Sequence, residues 1–109
     1  MKRTKLLCFE GSILKGYDIN SGSINWQYEL YSDIKMAMYS NTERNIVVLY
    51  KNGNLTWNNS TGTQINTITS GVDWFQFHIG DNNLIFVKRK NGTKNLINQR
   101  GVNLLNIYN

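Results

Sequence analysis

Apolar residues fall in short runs along this chain, and polar turn residues break them at nearly even intervals. IVVLY, residues 46–50, is apolar at consecutive positions, as a strand buried on both faces should be. WFQFHI, residues 74–79, alternates instead, setting Trp74, Gln76 and His78 against Phe75, Phe77 and Ile79. That period of two marks a strand with two different faces. Asn52-Gly53 and Asn91-Gly92 lie between such runs and are strong hairpin signals. No window carries the 3.6-residue period of an amphipathic helix. The pattern predicts strands over 4–10, 13–19, 23–30, 35–40, 45–51, 54–58, 63–69, 73–79, 84–90, 93–98 and 102–108.

The strands recur as a unit. Ser21-Gly22, Thr61-Gly62 and Arg100-Gly101 are spaced by 40 and 39 residues. Before each comes an apolar strand, a short glycine turn, a second strand and a polar turn: residues 5–22, 45–62 and 83–101. After each comes a further strand: SINWQYEL, TQINTITS and VNLLNIYN. KMAMYS at 35–40 and WFQFHI at 74–79 then supply a leading strand to the second and third units. Four strands, A to D, recurring about every 40 residues are the signature of a β-propeller blade. The chain is therefore expected to be all-β: a partial β-propeller of about 2.75 four-stranded antiparallel blades, the first without its innermost strand A. Residues 1–109 form one domain, in units of about 1–32, 33–71 and 72–109. A blade has two apolar faces and must lean on a neighbour at each.

Residues 16–26, GYDINSGSINW, resemble the quinoprotein-type (PQQ-like) β-propeller repeat, in which an Asp, a Ser/Thr-Gly turn and a Trp follow a small residue. The resemblance implies roles for three residues. Asp18 would cap the turn, Gly22 would adopt positive φ, and Trp26 would wedge between blades. The second unit keeps Thr61-Gly62 but has Asn58 for the Asp and Asn66 for the Trp, and the third keeps Gly101. This repeat occurs in bacterial quinoprotein dehydrogenases, in a propeller lipoprotein of outer-membrane assembly, and in the luminal domain of the unfolded-protein-response kinase. It also occurs in the large luminal subunit of the endoplasmic-reticulum membrane insertion complex; the chain resembles the eukaryotic luminal members more than the catalytic ones, and the insertion-complex type is the specific expectation. Catalytic members need a whole propeller, a quinone pocket and bound calcium, and this chain shows no residues for them. Whole propellers of the family have about six to eight blades, so the chain is expected to be a segment or subunit that a protein partner or self-association completes. Two copies would give about six blades.

Composition changes this picture little. Asparagine is abundant, at 17 residues, and proline is absent, which suits turns and sheets respectively. The net charge is +5, and the basic residues are scattered except at residues 1–5 and at Lys88-Arg89-Lys90. Such a hairpin triplet serves as a solvated, anti-aggregation edge or as part of an interaction surface, and it is weak support for nucleic acid. Cys8 is the single cysteine and, flanked by apolar residues, is expected to be buried and inert. The apolar run at Leu6 to Phe9 is shorter than the roughly 7–15 residues of a signal sequence. No stretch reaches the roughly 20 apolar residues of a membrane helix. Four Asn-X-Ser/Thr triplets, at Asn54, Asn58, Asn59 and Asn91, lean towards a secretory or endoplasmic-reticulum lumen, the alternative being the cytoplasm.

Candidate chemistry is sparse. His78 is the only histidine, on a predicted A strand, and no acidic cluster adjoins it. The carboxylates show no paired spacing, Asp18, Asp33 and Asp81 falling in predicted turns or at strand ends. No catalytic, cofactor-binding or metal-binding residues are assigned. Trp57 and Trp74, with the 88–90 triplet, mark a possible interaction surface, and core packing between blades is the competing reading for the aromatics. The expected function is a non-catalytic interaction scaffold. The alternatives are a carbohydrate or small-ligand binding module using the aromatics, or a quinoprotein dehydrogenase fragment.

Overall fold

The computed structural model describes residues 5–40, 42–78 and 81–108, with backbone alone at 81–83. The basic residues Lys2 and Arg3 and the strand end at Ile79 lie outside the described residues. Eleven antiparallel strands form three sheets, and no helix occurs among the described residues. The first sheet is β1 (Lys5–Glu10), β2 (Ile13–Asp18) and β3 (Ile24–Glu29). The second is β4 (Ile34–Tyr39), β5 (Asn45–Tyr50), β6 (Leu55–Asn59) and β7 (Gln64–Thr69). The third is β8 (Val72–His78), β9 (Asp81–Arg89), β10 (Lys94–Asn98) and β11 (Asn103–Ile107). Each sheet is a meander in chain order. β9 begins at Asp81, three residues earlier than its apolar run, because His78 pairs with Asp81 and backbone pairing is indifferent to side-chain polarity.

The core explains why β5 is apolar from Ile46 to Tyr50. Ile46, Val48 and Tyr50 share a cluster with Leu14 and Trp26 of the first sheet. Val47 and Leu49 point the other way, into a cluster with Phe75, Ile85, Val87 and Ile97 of the third. Alternation along one strand thus supplies two cores, and the second sheet is covered on both faces.

The joint between sheets repeats. Ile34 N–H, at the start of β4, donates to the carbonyl of Gly11 in the β1–β2 hairpin at 2.9 Å. Val72 N–H, at the start of β8, donates to the carbonyl of Gly53 in the β5–β6 hairpin at 3.0 Å. β4 and β8 carry the same bulge, at Lys35 and Asp73. These two bulged residues meet: the Lys35 ammonium donates to the Asp73 carboxylate and carbonyl, each at 2.8 Å. β1 lies beside β4 as β5 lies beside β8, so β1 holds the second-strand position of its sheet. The strand with no counterpart is the leading one, β4 and β8 having none before β1 among the described residues.

Candidate interaction surface

The residues singled out around the turns occupy three equivalent hairpins. Gly22, Gly62 and Gly101 have φ of 73°, 94° and 84°, the left-handed region that glycine enters without cost. Each turn is capped from the end of the preceding strand. The Asp18 carboxylate accepts from Asn20 N–H, the Asn59 side-chain oxygen from Thr61 and Thr63, and the Asn98 oxygen from Arg100 and Val102. Asn59, rather than Asn58, is therefore the counterpart of Asp18. Asn58 lies one residue earlier on the opposite face, fully buried, donating to the Gly62 carbonyl and accepting from Thr56.

Trp26 lies across Gly16, its cross-strand partner, and packs into the cluster between the first and second sheets with Tyr39. In the second sheet the equivalent pair is Trp57 on β6 opposite Asn66 on β7. The indole has moved one strand inward and fills the next joint, between the second and third sheets, edge-on to Phe77 at a ring separation of 6.3 Å. Trp57 is only 9% exposed, so it belongs to the core and not to an interaction surface. In the third sheet the corresponding pair is Leu96 and Leu105.

Strand alternation separates the basic triplet. Arg89 turns back to the second sheet, donating to Thr69 and to the Ser70 carbonyl, and to Asn95 within its own sheet. The Lys90 side chain passes over Gly53. Lys88 points outward on the third sheet's outer face, exposed beside Trp74. Trp74 is 39% exposed and stacks edge-on with Phe86 at 5.9 Å. Around them the outer face of the third sheet is a shallow groove of about 420 Å³ lined by Gln76, His78, Phe86, Leu96, Leu105 and Ile107. A second hollow, of about 450 Å³, opens beside Gly92 and Tyr108. Gly92 is the hairpin counterpart of Gly53 (φ 91° and 96°), and no following strand reaches its carbonyl among the described residues.

The outer face of the first sheet is also open. Cys8 is exposed there, contrary to the buried position its apolar neighbours suggest, because no sheet among the described residues covers that side of β1. Leu6 is half-exposed on the same face. His78 is exposed, and no group of three or more His, Cys, Asp or Glu among the described residues is placed to hold a metal ion. No helix among the described residues is long and apolar enough to cross a membrane.

Two phenols are sealed in the joint between the first and second sheets. Tyr39 and Tyr50 bury hydroxyls that lack a hydrogen-bond partner among the described residues. Burial pushes the Tyr50 hydroxyl up to about 12 and raises Tyr39 in the same direction. Unfolded tyrosine ionises near pH 10. Tyr50 therefore leaves stability unchanged below about pH 10 and withdraws roughly 2 kcal/mol as the pH rises from 10 to 12, where only the unfolded chain has lost the proton. Of the six tyrosines, two are expected to ionise late and together with loss of the strand signal, read from tyrosinate absorbance and circular dichroism. All six ionising near pH 10 with the fold intact would refute this.

No family model matches the chain, and no curated protein matches it either.

Proposed function

We propose that the chain is a non-catalytic interaction scaffold: an arc of a β-propeller, its three sheets serving as successive blades, completed by further blades. The observation that supports this most is the repeated joint, in which the leading strand of one sheet docks on the hairpin carbonyl of the sheet before it, Ile34 on Gly11 and Val72 on Gly53. A third such carbonyl, on Gly92, sits above an outer face carrying Trp74, Phe86 and Leu96. Large adjoining apolar side chains on a sheet face favour a covering partner, whereas scattered ones do not. The likeness of residues 16–26 to the PQQ-like repeat agrees with this arrangement. A luminal member of that repeat family, of the membrane-insertion type, is the specific form proposed.

A face that must be covered makes stability depend on its cover. The melting temperature of the wild-type chain is expected to rise with protein concentration, or with its partner present, as mass action stabilises the covered form. Leu96→Asp, at a half-exposed site, is expected to keep the strand spectrum and abolish that rise. A melting temperature independent of concentration and partner, identical in both proteins, contradicts the proposal.

A further inference from the structure

We infer that the outer face of the third sheet docks the outer face of the first sheet in a second copy of this chain, head to tail; this rests on the scaffold reading above. The equivalence of positions carries the inference. Cross-strand pairs Phe9–Leu14, Leu49–Leu55 and Lys88–Lys94 occupy the same place beside the second-to-third-strand hairpin of each sheet. Leu49 and Leu55 are fully buried in the joint between the second and third sheets. At the third sheet that pair is Lys88 and Lys94, two cations where the preceding joint is apolar.

The opposite free face breaks the apolar pattern with the opposite sign. Glu10 holds the position that Tyr50 fills, fully buried, in the second sheet, and Glu29 pairs across Ile13 in the same row. Leu14, the counterpart of Lys94, and Tyr50, the counterpart of Glu10, belong to one buried cluster. Continuing the series by one joint therefore brings Lys88 and Lys94 of one copy to Glu10 and Glu29 of the next. Lys15 on the receiving face is one row further from the hairpin, opposite Cys8. Opposite charges at matching positions on the two faces fix register and exclude wrong partners.

The turn glycines add a second, independent sign. A Cβ on Gly101 would overlap the Ile68 carbonyl of the sheet before it, and one on Gly62 would reach Trp26 at 3.0 Å. Gly22, on the free face of the first sheet, meets nothing within 4 Å. In the head-to-tail arrangement Gly22 meets β11 of the other copy. Two copies of three sheets each make a six-bladed ring with two identical junctions, within the usual four to eight blades.

The test is sedimentation of charge-reversed variants at low salt. Wild type is expected to form a two-copy species, while Lys88→Glu/Lys94→Glu and Glu10→Lys/Glu29→Lys each associate roughly tenfold more weakly or worse, like charges now meeting at both junctions. Mixing the two variants one to one restores the two-copy species, because each junction then joins opposite charges. Gly22→Asn, which tolerates positive φ, is expected to keep the monomer's melting curve and weaken assembly about tenfold. Reversed variants that assemble as wild type does, or a mixture of folded variants that stays single-chain, overturn this docking while leaving the scaffold reading in place. A wild-type chain of single-chain size at every concentration, whose melting also ignores any partner, overturns both.

Discussion

Gly101→Ala is expected to cost about 3 kcal/mol of unfolding free energy. Two effects add. The residue holds φ at 84°, where an L side chain is strained by about 1–2 kcal/mol. Its added methyl also lands on the backbone carbonyl of Ile68 in the neighbouring sheet, which cannot rotate away as a side chain would. Overpacking of this kind costs roughly 1–3 kcal/mol. Gly22→Ala supplies the control. It has a similar φ of 73° but open space around it, so only the conformational strain of about 1 kcal/mol remains in the single chain. Denaturant titration of both variants at concentrations too low for assembly separates the terms. Equal losses would mean that the third sheet does not lean on the second at Ile68.

The second large effect is a coupling. Trp26→Ala removes a half-buried indole from the joint between the first two sheets and is expected to cost about 2–3 kcal/mol. Gly16→Ala is expected to cost a similar amount for the opposite reason, since its methyl would sit inside the Trp26 ring. The two losses do not add. Once the indole is gone the methyl has room, and alanine in place of glycine within a strand becomes neutral or favourable by about 0.5 kcal/mol. The double-mutant cycle should therefore show an interaction energy of about 2 kcal/mol. Additive losses would place the Trp26 ring away from Gly16. In the second sheet the indole sits on the inner of the two strands, and its cross-strand partner Asn66 is exposed.

The strands and hairpins were legible because turn chemistry and apolar runs are local signals. All eleven expected strands are present, with ends displaced by a few residues at most. Facing was harder to read. A slip of one residue changes the face of a side chain, which is why Asn58 looked like the turn cap and is instead a buried donor beside the true cap, Asn59. It is also why three adjacent cations have three fates, with Arg89 bound to the second sheet, Lys90 over Gly53 and Lys88 outward. Trp57 and Trp74 are chemically alike, and only the presence of a following sheet buries one and leaves the other open. Cys8 shows the reverse error: apolar neighbours in sequence do not bury a residue whose face has no neighbour in space. The Lys35–Asp73 pair escaped notice although a signal existed, since each follows the β-branched first residue of its strand, Ile34 or Val72, at the same place in the repeat. The abundant asparagine proved informative as turn chemistry. Asn52, Asn59, Asn91 and Asn98 each accept a backbone N–H two residues on, closing four of the hairpins.

A series of sheets leaning on one another leaves its two end faces to be covered, and a second copy of the chain is the proposed cover. Light scattering of the wild-type chain over a range of concentrations tests this most directly. The expected result is a species of twice the 12.6 kDa chain mass that dissociates on dilution and in high salt. A single, cooperatively folded species of 12.6 kDa at every concentration would contradict it.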